Sequence, residues 1–140
     1  MLRLLSNLNL CTRYDVEASA GLVASGVTGT WVAQAADALD MPAADAYAVG
    51  PVWTESKRDG TAGWTPDQGF TGNLTVLYGK HRAQTDQFAG TPAAGAALAV
   101  NAAGKLAVSA TGITVAYCTK ASHSISHLGS SHTVIEYVSV

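Results

Sequence analysis

The sequence predicts a small all-β domain, a barrel or sandwich, with an extended N-terminal arm. Three observations lead there. From Gly26 onward, short runs rich in Val, Thr, Trp and Tyr alternate with Gly, Pro, Asn and Asp. These runs recur at the spacing of about 8–12 residues that suits sandwiches and barrels. No long helical pattern separates them, which argues against a parallel α/β sheet. A chain of 140 residues is expected to form one domain with a core of its own.

The elements follow in order. Residues 1–11 place Leu at 2, 4, 5, 8 and 10, a pattern that suits a strand or a helical turn. Thr12–Asp15 resembles a capping box, so a short helix is expected from Val16 to Ser25, ending at Gly26. Residues 1–27 are therefore read as an arm, and residues 28–140 as a single β domain. Strands are expected over Thr28–Ala33 and Ala48–Ser56, the second interrupted by Gly50-Pro51. The Ala-rich stretch between them, broken by Pro42, reads as a connection with a short strand. Asn73–Thr85 is the longest strand candidate, with Gly79 marking a bulge or a close backbone approach. Ala96–Val100 and Lys105–Val108 flank Asn101–Gly104, a hairpin signal with Gly104 at the residue that needs a positive φ. Gly112–Lys120 and Thr133–Val140 close the chain, with a Ser- and His-rich loop between them.

Composition narrows the function. Charged residues make up 13% of the chain, about half the ~25% of an average globular protein. A surface so poor in charge is weakly protected against association, which favours a large permanent interface. The net charge is −2 and the eight basic residues are scattered, so no nucleic-acid footprint is visible. The apolar N-terminus is interrupted by Ser6, Asn7 and Asn9 and lacks a continuous signal-peptide core. No segment approaches the ~20 apolar residues of a membrane span. The expectation is a product of the cytoplasm with two free thiols, Cys11 and Cys118.

Candidate chemistry is sparse. His123, His127 and His132 could share a metal, but their Ser-rich context reads as a solvated loop. There is no Gly-x-Ser-x-Gly elbow, no Gly-x-Gly-x-x-Gly and no phosphate loop. The aspartates lie in turn contexts, where their side chains bond the backbone. No catalytic residue and no cofactor is expected. Trp64, in a Gly/Pro-flanked loop, is the best interface anchor among the tryptophans, because Trp dominates binding hot spots. Leu4, Leu5 and Leu8 could gain burial across a neighbour.

The stretch Thr91-Pro-Ala-Ala-Gly95-Ala-Ala-Leu-Ala-Val100-Asn-Ala-Ala-Gly104-Lys-Leu106 resembles the hairpin of small tailed-bacteriophage capsid decoration proteins. Val49–Glu55, Val76–Ala83 and Val134–Val138 look like the strands that accompany it there. The likeness spans residues 28–140 and is one of spacing and glycines, without a catalytic motif. It implies a compact β-barrel or β-tulip-like cement protein on the outer surface of the virion. Its implied partner is the major capsid protein, bound by a homo-oligomer with a trimer favoured. The rival expectations are a head-fibre base or tail-associated β module, and a small metal-binding or enzymatic domain using the histidine loop.

Overall fold

The computed structural model describes residues 1–7, 13–17, 19, 22, 27–36, 38–53 and 73–140. These form eleven strands: β1 (Leu2–Asn7), β2 (Arg13–Glu17), β3 (Trp31–Ala35), β4 (Ala38–Asp40), β5 (Gly50–Pro51), β6 (Asn73–Leu77), β7 (His81–Thr85), β8 (Ala97–Val100), β9 (Leu106–Val108), β10 (Ala116–His127) and β11 (Ser130–Ser139). The chain is all-β. Its sheets are antiparallel and open, in a sandwich-like arrangement rather than a closed barrel. The main sheet has the order β1-β7-β11-β10-β8-β9. A second group comprises β4-β3-β5 and the pair β2-β6. Val52 joins its two parts through an antiparallel bridge to Val76. Ser19 N–H donates to the Leu39 carbonyl at 2.8 Å, tying the segment after β2 to β4.

Two cores result, and strand periodicity divides them. Successive side chains of a strand face opposite ways. In β3, Trp31 joins the large core and Val32 the small one. In β6, Leu77 joins the large core and Val76 the small one. The large core also holds Leu2, Leu98, Leu106, Ile135 and Tyr137 beneath the main sheet. The small core gathers Leu22, Leu39 and Val52 around Val32 and Val76. β3 and β6 thus stand between the two cores, with apolar side chains on both faces.

Several expectations change. Asn73–Thr85 is two strands, β6 and β7, in different sheets. The chain turns at Tyr78–Lys80, where Gly79 has φ 94°, a conformation that side chains with a Cβ resist. Within the N-terminal arm, β1 pairs with β7 along the edge of the main sheet and buries Leu2. Val16 and Glu17, the expected start of a helix, lie in β2, held by β6 through Val16↔Leu74 and Glu17↔Asn73. Ladder pairing overrides a weak local helix signal. Most of the rest of that expected helix lies outside the described residues. The expected loop at 120–133 is also strand, as described below.

The β8–β9 hairpin forms where expected, with Val100 opposite Leu106. Asn101 Oδ1 accepts from the backbone N–H groups of Ala103 and Lys105, each at 3.0 Å. Gly104 (φ 69°) lies so close to β3 that a Cβ there would sit 2.4 Å from Thr30 Cγ2 and 2.7 Å from the Trp31 carbonyl oxygen. Gly129 (φ 80°) has open space around it. Gly104→Ala is therefore expected to cost about 3 kcal/mol or more, from combined backbone strain and steric displacement. Gly129→Ala should cost only about 1–2 kcal/mol, from the left-handed conformation alone. Urea denaturation of the two variants measures the difference; equal losses would refute the close approach.

Candidate functional site

The described residues offer a long hairpin, a cavity, and a polar network on each face of the main sheet.

The hairpin is the extension of β10 and β11. Their pairing runs from Ala116↔Ser139 to His127↔Ser130, with irregularities near Lys120. Their neighbours stop early. β8 pairs with β10 only at Ala116 and Tyr117, and β7 pairs with β11 only from Ile135 to Val138. Beyond these points, Thr119–His127 and Ser130–Val134 have outer edges without a strand partner among the described residues. At strand rise, Thr119–His127 extends for up to about 30 Å. Residues 119–133 are all half-buried or exposed. His123, Ile125, His127 and His132 form the half-buried side, whereas Ser122, Ser124, Ser126, Ser131 and Thr133 are exposed. This alternation is visible in the sequence, but Ser-rich composition masks it as a loop.

The hairpin turns through Leu128 (φ 50°) and Gly129 (φ 80°). Positive φ at both central residues is the type I′ signature, which favours Asn-Gly or Asp-Gly. A Leu there is strained. It is also 79% exposed, the most exposed large apolar side chain among the described residues. Between Ala121 and Ile135 there is no Asp, Glu, Lys or Arg.

The three histidines do not converge on one point. His127 and His132 meet edge-on with ring centroids 6.3 Å apart. His132 Nδ1 lies 3.4 Å from Asp86 Oδ2. His123 turns to Glu136, its Nε2 3.7 Å from Oε1. Among the described residues, no group of three or more His, Cys, Asp or Glu side chains is placed to hold a metal ion. Leu4 packs against the large core, while Leu5 faces outward. Leu8, Trp64 and Cys11 lie outside the described residues. Cys118 is a buried free thiol. Burial pushes its pKa up, outweighing the opposing hydrogen bond to the Lys120 carbonyl, so it is a poor nucleophile.

Glu136 and Gln84 form the outer network. The Gln84 amide donates to Glu136 Oε1 at 3.1 Å, and Arg82 Nη2 donates to Oε2 at 2.7 Å. Burial alone would raise the carboxyl's pKa. The bonds from Gln84 and Arg82, with the charges of Arg82 and Lys120, outweigh it and hold the pKa below the usual range.

On the inner face lies a group that the sequence reading passed over. His81, Ala83 and Thr85 share the core side of β7, opposite Arg82 and Gln84. Strand alternation was the signal that could have placed His81 inside. Its ring contacts Tyr137 edge-on at 5.5 Å and stacks beside Trp31 at 6.4 Å. His81 Nδ1 lies 2.9 Å from the Gly79 carbonyl. A carbonyl only accepts, so Nδ1 carries the proton. Nε2 then accepts from the Tyr137 hydroxyl at 3.0 Å. Ser139 Oγ accepts from the His81 backbone N–H at 2.8 Å and donates to the Gly79 carbonyl at 2.9 Å. Gly79, His81 and Ser139 line a cavity of about 250 Å³ together with Trp31, Ala48, Leu77 and Val115.

No protein-family model, curated protein or solved structure matches the chain.

Burial lowers the pKa of His81, against the smaller raising effect of the Gly79 bond. The unfolded chain therefore binds a proton at higher pH than the folded one. Stability should fall as pH drops below about 6.5, the ordinary histidine value. A separate loss should begin below about 4.5, where the unfolded carboxyl of Glu136 starts to take up a proton that the folded state resists. Urea denaturation from about pH 8 to about pH 3, a range that brackets both ordinary values, checks both steps. His81→Gln should flatten the upper step and leave the lower one; an unchanged upper step would refute the assignment.

Proposed function

We propose that the chain is a non-enzymatic adhesion module whose β10–β11 hairpin docks on another protein. The observation that carries this reading is the undefended hairpin edge. Proteins blunt exposed edge strands with lysines, prolines, inward charges or covering elements. Beyond Lys120 the hairpin carries no charged residue before Glu136 and no proline, and its edges lack strand partners among the described residues. At its tip, a strained turn holds an exposed Leu where Asn would be more stable. A surface that forgoes both protections is suited to being covered. Strand addition supplies backbone hydrogen bonds, and an exposed apolar tip supplies an anchor.

The surface proposed is the outer shell of a tailed-phage capsid, with the major capsid protein as the partner. The resemblance in the β8–β9 hairpin supports that choice, as does the low charge of the whole chain. Many copies with modest individual contacts would bind a lattice strongly through multivalency. A trimer is the proposed assembly, which light scattering on the purified protein measures. His81 and Cys118 are consistent with a structural module, since both are buried in bonds that hold the sheet together.

The test is cosedimentation with empty expanded capsids. Leu128→Asn should raise stability by about 0.5–1 kcal/mol, because Asn tolerates the left-handed turn. The same substitution should weaken capsid binding. Ser124→Lys with Ser126→Lys should abolish binding without unfolding the protein, since both positions are exposed. Wild-type protein that fails to sediment with the shells, or hairpin variants that bind as well as wild type, would overturn the reading.

A further inference from the structure

The far end of the hairpin holds a pair of side chains that the adhesion reading does not use. His127 and His132 stand on its two strands. In the β10–β11 register, Ile125 lies opposite His132 and His127 lies opposite Ser130. The two histidines are therefore diagonal neighbours on one face, within reach of each other's rings. Their ring centroids are 6.3 Å apart. Both residues are half-buried, so solvent and ions still reach them.

Asp86 gives a second, independent observation. Its Oδ2 lies 3.4 Å from His132 Nδ1. Its Oδ1 takes the Met1 ammonium and, at 2.8 Å, the Gln87 side-chain amide. The carboxylate is thus held in place, and it favours a proton on the ring nitrogen that faces it. The lone pair of His132 then stands on Nε2, the nitrogen remote from Asp86. Metal-binding histidines are oriented in this way, with one ring nitrogen toward a carboxylate and the other toward the ion. Among the described residues, no hydrogen bond engages His132 Nε2 or a ring nitrogen of His127.

The separation suits a shared ion. Zn–N bonds of ~2.0–2.1 Å put two imidazole centroids on one tetrahedral ion about 5 Å apart. The two rings stand about 1 Å beyond that, and turning them out of their edge-on packing closes the difference. Between Ala121 and Ile135 there is no Lys or Arg to repel a cation. Imidazole nitrogen suits Zn²⁺, Cu²⁺ and Ni²⁺, whereas Mg²⁺ and Ca²⁺ take oxygen ligands. His123 stands apart, with Nδ1 3.0 Å from the Ala121 carbonyl and Nε2 3.7 Å from Glu136.

We infer that His127 and His132 chelate one divalent transition-metal ion of the Zn²⁺ class across the two strands of the hairpin, with Asp86 as the positioning residue that presents His132 Nε2. Water fills the remaining positions, since among the described residues no third His, Cys, Asp or Glu completes a metal-holding group. Two protein ligands make an exchangeable site, unlike the closed four-ligand sites that hold a fold together. The inference does not rest on the adhesion reading, because the purified chain binds the ion without any shell.

Zinc chloride is the probe, with magnesium chloride as the control. The readout is the set of imidazole ¹⁵N resonances in the ¹⁵N-labelled full chain at mildly alkaline pH. Zn²⁺ should shift His132 Nε2 and one ring nitrogen of His127 saturably, with equimolar stoichiometry, while His132 Nδ1 keeps its proton. Mg²⁺ should leave both rings in place. His127→Gln and His132→Gln should each abolish saturable binding, whereas His123→Gln should bind Zn²⁺ as wild type does. Asp86→Asn should weaken binding by about tenfold or more, the loss typical of an orienting partner. It should also let the His132 proton move between Nδ1 and Nε2, a change that a merely structural role would not produce. Backbone amide spectra of every variant report whether its fold is intact. No saturable response at His127 and His132, an equal response to Mg²⁺, or folded His127→Gln or His132→Gln protein that binds as well as wild type would overturn the inference.

Discussion

Trp31 and Val32 are neighbours in β3, yet they are buried in different cores, and Leu77 and Val76 repeat the division in β6. Two strands with both faces apolar must be covered on both sides. The main sheet covers one side. Leu22, Leu39 and Val52 pack on the other. This demand explains why β6 and β7 cannot continue as one strand. β6 belongs to the layer between the cores, and β7 to the main sheet beyond the large core. The turn at Tyr78–Lys80 makes the change of layer, and Gly79 supplies its backbone conformation. The same tight packing brings Gly104 against β3, so the β8–β9 hairpin is locked to the strand on which both cores rest.

The polar networks lie on strands fixed by this arrangement. β7 and β11 are adjacent in the interior of the main sheet. Their inward side carries His81, Tyr137 and Ser139, and their outward side carries Gln84, Arg82 and Glu136. Buried polar groups stabilise a unique arrangement only when their partners are in place. Here the His81–Tyr137, Arg82–Glu136 and Gln84–Glu136 bonds join β7 to β11 on both faces. The register of β7 against β11 also sets where pairing ends, and the hairpin begins where it ends. The base of β10–β11 is anchored in the large core through Ala116, Cys118, Ile135 and Tyr137, while residues 119–133 are half-buried or exposed. Such a contrast between rigid base and lightly packed tip is common where a scaffold presents a binding element.

The cavity depends on the same geometry at the opposite face of β7. Trp31 stacks beside His81, and both line the cavity. The Tyr137 and Gly79 bonds occupy both nitrogens of the imidazole. Hairpin and cavity therefore draw on separate chemistry: backbone edges and an apolar tip in one, an opening lined by Tyr47, Tyr78 and Ile113 in the other.

Much of the strand content was legible from the sequence. Val-, Thr- and Trp-rich runs between Gly and Pro marked β3, β8, β9 and the inner halves of β10 and β11, because those residues suit a pleated surface and their neighbours break it. Asn101–Gly104 marked its own hairpin, since only a few residues tolerate that turn. The Ser/His segment was not legible, because serine and histidine have no strong strand preference and the Leu128-Gly129 turn lacks the usual Asn. Its strand form is imposed by pairing with a partner already anchored in the sheet. The placement of β1 and β2 was likewise decided by distant partners, β7 and β6, for which local sequence holds no signal. The sequence by itself determined an all-β chain with little surface charge, because composition and turn chemistry act locally. Only the tertiary structure decided that β3 and β6 serve two cores, that His81 and Trp31 meet beneath one opening, and that β10 and β11 outrun their neighbours. Each of those depends on which strands lie side by side, and that is settled by burial across the whole chain.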